Sequence, residues 1–287
     1  MTTELSQRLH DRFGPAGLYR PAPAALAGTA ASARTAALLS TAGLPLQVGP
    51  YFTADPGQPL RLADWARAVG LSADGRPEAD WVRLGSDRGA ELCVDGDGRV
   101  RAVYLAFRGP SVPVDDSLDA FLDNLCTLDE NLRALAAAEQ PDEVFRLFSA
   151  AEGRMRGTDL RAFENDEQWW PRVLEDIRHT RGVPGHAAFR IRGRDGEPLI
   201  LTADGSLAVH PEEALRQRLS AAGLDPADVI EVYTELQACT MPGHYCALWM
   251  ARAFPNAEFT HSHDYGDTAA ERDAGIRELA AALAAGE

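Results

Sequence analysis

Lysine is absent from this 287-residue chain, so all 28 of its basic side chains are arginine. Against 43 acids they leave a formal net charge of −15, with a pI near 4.9. That balance weighs against a chain that coats nucleic acid along its whole surface, because affinity for a polyanion comes mainly from neutralising phosphates. A local basic site stays open. Cysteine is scarce, at four residues, too few for a disulfide framework in a chain this long and suited to a reducing compartment. Long apolar runs are missing as well. Glu4, Arg8, Asp11 and Arg12 stand where a signal peptide needs its hydrophobic stretch. The Ala-rich segment 24–42 is interrupted by Arg34 and several Ser and Thr, which makes it a poor membrane span. The expectation is a soluble, cytoplasmic protein with no membrane association.

What is present is ordinary for a globular protein: 45% hydrophobic and 25% charged residues, over a length that fits about two domains. In the first half, alternating runs at 90–95 and 99–107 flank Asp95-Gly-Asp-Gly98, which predicts a hairpin. Ser117 can cap a helix whose apolar positions Leu118, Phe121, Leu122 and Leu125 follow helical spacing. Residues 136–180 are polar, charged and helical in pattern, and read as a connector. The second half opens with a hairpin, 186–192 and 197–202, across the turn 193–196. A helix from His210, a strand at 228–234 and a helix placing Cys246, Trp249, Met250, Ala253 and Phe254 on one face follow. A strand at 258–263 and a last helix behind the capping box Thr268–Glu271 complete it. The order β-β-α-β-α-β-α predicts an α/β layer domain. The expected organisation is 1–140 as an α+β domain, 141–185 as a helical connector and 186–287 as a second domain.

Six of the seven histidines lie beyond residue 178. Among them His210-Pro211-Glu212 sits at a helix start, with Cys239 and Cys246 after the next strand. One imidazole and two thiolates are a donor set for catalytic zinc with a fourth position open. A carboxylate two residues past the histidine can shuttle a proton without being a ligand. Pro211 suits the first helical position, and the start of the Cys246 helix is expected to lower that thiol's pKa.

His-x-Glu followed by a cysteine pair at a helix start resembles the zinc-dependent cytidine-deaminase-like superfamily. The surrounding residues Tyr233–Cys239, Cys246, Phe254-Pro255 and Tyr265-Gly266 resemble the bacterial nucleic acid or nucleotide deaminases of polymorphic toxin systems. The resemblance covers about 186–287 and implies a three-layer α/β fold. It also implies zinc on His210, Cys239 and Cys246, Glu212 as general acid/base, and hydrolytic deamination of a base in a nucleotide, nucleoside or nucleic acid. Six residues, 240–245, separate the two cysteines where that superfamily has two, so the loop must bulge, and Pro242-Gly243 is turn chemistry. Gly43-Leu-Pro, Gly49-Pro-Tyr-Phe52, Leu84-Gly85, Leu92–Asp95, Gly98-Arg-Val and Ser117–Leu122 resemble the SUKH superfamily, especially its fourth branch, over about 35–135. That implies an α+β immunity module that binds a protein partner.

Each of these features also has a plainer reading. His210 with Glu212 could be a polar helix cap, and the two cysteines core thiols; their joint order favours a zinc site. Cys93 and Cys126 read as buried small hydrophobes. Asp95-Gly-Asp-Gly98 lacks the remaining ligands of a calcium loop. Trp169-Trp170 reads as packing, with base stacking as the alternative. His244, His261 and His263 are candidates for facing substrate, the last two sharing a strand face that could also take metal. Arg190, Arg192 and Arg194 could meet phosphate or line a solvated strand. A binding protein with an inactive deaminase-like half is the alternative to an enzyme.

Overall fold

The computed structural model describes residues 2–107, 109–193 and 197–286. It divides into two compact units, Met1–Pro171 and Arg172–Glu287. In the first unit the helices are α1 (Thr2–Phe13), α2 (Ala33–Thr41), α3 (Leu62–Ala68), α4 (Leu118–Ala137) and α5 (Pro141–Thr158). Its strands are β1 (Leu18–Tyr19) and β2 (Leu44–Pro45), which pair alone, and then β3 (Gln47–Val48), β4 (Phe52–Thr53), β5 (Val82–Ser86), β6 (Glu91–Val94), β7 (Val100–Val103) and β8 (Val112–Asp115). The last six form one antiparallel sheet in sequence order.

Short connections join most of these strands to the next in sequence, and α3 lies in the longer one between β4 and β5. At the 95–98 turn, Asp95 Oδ1 accepts from the backbone N–H of Asp97 and of Arg99, each at 2.9 Å, so the acid shapes a hairpin and needs no ion. Gly85 is required for a different reason. A Cβ there would lie 2.2 Å from the carbonyl oxygen of Thr53, the strand next door. Ser117 caps α4 by accepting from the Ala120 N–H at 3.1 Å. The predicted stripe Leu118, Phe121, Leu122 and Leu125 is buried, each side chain stabilising the fold by about 1.5–3 kcal/mol.

Trp169 and Trp170 are fully buried and meet edge to face at 4.6 Å between ring centres. The Trp169 Nε1–H donates to Asp87 Oδ2 at 2.8 Å, and the Trp170 Nε1–H to Asp115 Oδ2 at 2.7 Å. Packing, not base stacking, is therefore their role. Cys93 and Cys126 are likewise buried.

The second unit takes most of α6 (Trp169–Gly182), then β9 (His186–Arg192), β10 (Pro198–Asp204), α7 (Pro211–Ala221), β11 (Val229–Leu236), α8 (Cys246–Ala253), β12 (Glu258–His263) and α9 (Ala269–Ala285). From β9 onward this is the predicted β-β-α-β-α-β-α order. The sheet runs β10-β9-β11-β12, antiparallel except for the parallel pair β11 and β12. The division between units crosses the expected connector 141–185: α5 packs along α4 in the first unit, whereas α6 from Arg172 onward belongs to the second.

Alternation along β9 buries Ala187, Phe189 and Ile191 with Leu215 and Leu219 of α7, Met250 of α8 and Phe254 just beyond it. Ile200, Thr202 and Thr260, exposed, occupy the opposite face by register. The described helices of this unit thus pack on one face, and the third layer implied by the resemblance has no counterpart among its described residues. Arg190 and Arg192 are exposed on the open face, Arg190 beside Glu231 at 3.4 Å; Arg194, with the turn 194–196, lies outside the described residues. No described helix is long and apolar enough to cross a membrane.

The Trp170–Asp115 bond yields a stability test. Asp115 also accepts from Asn124 Nδ2 at 2.8 Å, all three groups being buried. Asp115→Ala leaves two buried donors without their acceptor and is expected to cost about 1–3 kcal/mol, read from the urea unfolding midpoint of the first unit.

Candidate metal centre

Three segments of the second unit converge on His210. This residue precedes Pro211, the first residue of α7, with extended backbone (φ −76°, ψ 148°). Its backbone N–H donates to Glu213 Oε2 at 3.1 Å, which fixes the entry to the helix. Cys239 follows β11, and Cys246 opens α8. Residues 241–246 are all buried. Gly243 at φ 83° and Tyr245 at φ 45° turn the chain, and the Ala247 N–H closes the loop on the Cys239 carbonyl at 3.0 Å. The six-residue segment between the cysteines is thus a folded bulge that returns Cys246 to Cys239.

His210 Nδ1 lies 3.4 Å from Cys239 Sγ and 3.5 Å from Cys246 Sγ. The three ligand atoms fall within 4.8 Å of one another. Zinc–nitrogen bonds of about 2.0–2.1 Å and zinc–sulfur bonds of about 2.3 Å, set at a tetrahedral angle, require N to S separations of about 3.5 Å. The donor set and its spacing therefore fit zinc.

Behind the ligands stands a network that the sequence reading missed. α6 presents Asp176, His179 and Thr180 at i, i+3 and i+4. Asp176 Oδ1 meets His210 Nε2 at 2.9 Å, and Asp176 Oδ2 meets His244 Nε2 at 3.0 Å. His244 Nδ1 reaches Glu213 Oε2 at 2.7 Å, and its ring stacks on His210 at 3.9 Å between centres, 8° from parallel. His244, expected to face substrate, is buried behind His210. His261 and His263 carry the same expectation. They sit on β12 against Asp264 (2.9 Å) and Glu278 (3.9 Å) and line no wall of the pocket described below. The only sequence signal for Asp176 was helical spacing within a segment read as a connector.

Electrostatics follow from burial and this network. Burial alone would raise the Asp176 carboxyl, but the His244 and His210 imidazoles hold it well below the usual carboxylate range. Burial likewise opposes charge on His210, yet Cys239 and Asp176 raise it well above the ordinary histidine value. The helix start was expected to lower Cys246. Burial, reinforced by the hydrogen bond to Cys239, pushes it up instead. Cys239 is held well down against its burial, by that bond and the His210 charge. Burial pushes Glu212 up to about 7.

His210, Glu212 and Cys239 line a pocket of about 480 Å³ of free space, its mouth included, together with His179, Thr234 and Tyr265. The buried Glu212 Oε2 has no hydrogen-bond partner, as expected of a carboxylate that acts on a ligand.

A family model described as SUKH-4 immunity protein matches residues 5–176, well beyond the expected 35–135. One described as Xanthomonas-like deaminase matches residues 182–282. No curated protein and no solved structure matches the chain.

Removing the carboxylate behind a ligand histidine loosens its orientation and basicity. Asp176→Asn is expected to weaken zinc binding roughly 10–100-fold, measured by competition with a chromophoric chelator.

Proposed function

Because the chain belongs through residues 5–176 to the SUKH-4 immunity protein family and carries a Xanthomonas-like deaminase domain at 182–282, we propose that its C-terminal unit is a zinc-dependent hydrolytic deaminase. Its substrate is a nucleobase carried in a nucleotide, nucleoside or nucleic acid. The observation that carries this reading is the convergence of His210, Cys239 and Cys246 beside a pocket that Glu212 lines, its Oε2 buried and without a hydrogen-bond partner.

His210, Cys239 and Cys246 would hold the metal. Zinc bound there supplies the Lewis acidity that makes water a nucleophile near neutral pH. The rest falls to the chain. Asp176 fixes the His210 ring through Nε2, leaving Nδ1 for the metal side. Glu212, with a pKa near 7, can accept the proton of the attacking water at Oε2 and return it to the ring or to the departing amine. Overall, the amidine C–NH2 bond breaks, a C=O bond forms from water, and ammonia leaves.

The SUKH-4 region would bind a protein partner, as its family description suggests. Four free, buried cysteines suit a reducing compartment, and we place the protein in the cytoplasm on that ground.

Elemental mass spectrometry should find near one zinc per chain, lost in Cys239→Ala together with activity. Glu212→Ala should keep the metal and the fold while ammonia release falls by roughly 10²–10⁴-fold. Retained turnover in that variant sinks the mechanism, and a zinc-free wild type turns the reading to a binding protein with an inactive second half.

A further inference from the structure

Glu212 is not alone in having a buried polar atom without a partner at the pocket. His179, only 5% exposed, lines the same cavity, and its Nε2 is buried with no hydrogen bond. Its other nitrogen, Nδ1, lies 3.0 Å from the hydroxyl of Tyr265, which is also buried. We propose that His179 reads the base: its Nε2–H donates to the carbonyl oxygen next to the amidine of a cytosine-type ring held in this pocket. This rests on the deaminase reading above.

The tautomer follows from the pair. A phenol is the better donor and a neutral imidazole nitrogen the better acceptor, so the Tyr265 O–H donates to Nδ1 and the ring hydrogen sits on Nε2. Burial, then the Arg178 charge, lowers His179 to about 4, so the ring is neutral at physiological pH. Tyr265 is held in turn: Gln237 Oε1 accepts from its backbone N–H at 3.1 Å. Gly275 lets α9 close on this loop, since a Cβ there would meet the Asp264 carbonyl at 2.0 Å. A donor fixed this firmly, with nothing to donate to, burdens the fold unless a ligand supplies the acceptor. Cytosine carries a carbonyl beside its amidine and adenine carries none. Contacts to exocyclic groups are how a base pocket chooses its substrate.

The probes are cytosine and 4-aminopyrimidine, which lacks the 2-oxo oxygen and with it the N1 hydrogen, so the loss of the ratio in the His179 variant is what assigns the oxygen's share. They are titrated calorimetrically at pH 8 into the zinc-loaded full chain carrying Glu212→Ala, so that no turnover occurs. Cytosine should bind roughly 10–100-fold more tightly. Adding His179→Phe should reduce that ratio to about threefold or less with zinc content unchanged. Tyr265→Phe, which leaves the histidine in place but frees its tautomer, should give an intermediate ratio and carries the test if His179→Phe does not fold. A ratio that survives His179→Phe, or equal or absent binding of the two probes before it, overturns the proposal. Ammonia release by the wild type separates the two readings. The binding ratio without ammonia from any base sinks the deaminase and leaves the role of His179 standing, whereas ammonia without the ratio does the reverse.

Discussion

A carboxylate withdrawn from water must be satisfied on both oxygens or remain protonated. Asp176 is buried, and each of its oxygens meets an imidazole: His210 on one side, His244 on the other. Much of the second unit's local structure can be understood as the means of meeting that demand. α6 carries the acid and α7 begins at one histidine. The bulge between the two cysteines carries the other histidine and parallel-stacks it on the first. Glu213 joins the two partners from the far side, taking the backbone N–H of His210 and Nδ1 of His244. With Nε2 of His210 engaged, Nδ1 is left to face the two sulfurs. The ligand geometry is therefore a consequence of how a buried charge is accommodated, which is the usual logic of groups behind metal ligands.

Seen this way, the long spacing between Cys239 and Cys246 has a physical reason. A shorter loop could bring the second thiol to the metal side, but it would have no residue to place against Asp176 and Glu213. Residues 241–245 fold inward, with Met241 in the hydrophobic core and His244 in the polar network, so the loop is largely buried structure. Its left-handed residues Gly243 and Tyr245 bear the sharp reversal that puts Cys246 at the start of α8. Burial then decides the thiol chemistry. It outweighs the helix start at Cys246, which is pushed up, while the hydrogen bond from Cys246 and the neighbouring His210 hold Cys239 down.

The first unit handles polar burial by the same rule with different partners. Asp87 and Asp115 each anchor an indole N–H, so two tryptophans side by side in sequence can both enter the core. Arg83, 2% exposed in β5, lies between Asp55 and Glu91 and over the Trp65 ring at 3.9 Å. Arg83 and the indole N–H groups of Trp169 and Trp170 are thus matched where they are buried, which keeps these polar groups from being stranded inside.

The sequence by itself determined most of the elements and pointed to the candidate donor set that the fold brings together. Periodicity placed the stripe of α4 and the two hairpins, capping residues placed Ser117 and Thr268, and His210, Glu212, Cys239 and Cys246 were legible because helix starts and chain order bring such residues together through local rules. Only the tertiary structure decided that α6 from Arg172 onward belongs with the second unit and supplies Asp176 and His179. Only it decided that His244 turns inward, that His261 and His263 stay on an outer strand, and that burial raises the Cys246 thiol. These depend on distant segments meeting and on water being excluded where they meet. Local patterns carry neither the contact nor the desolvation.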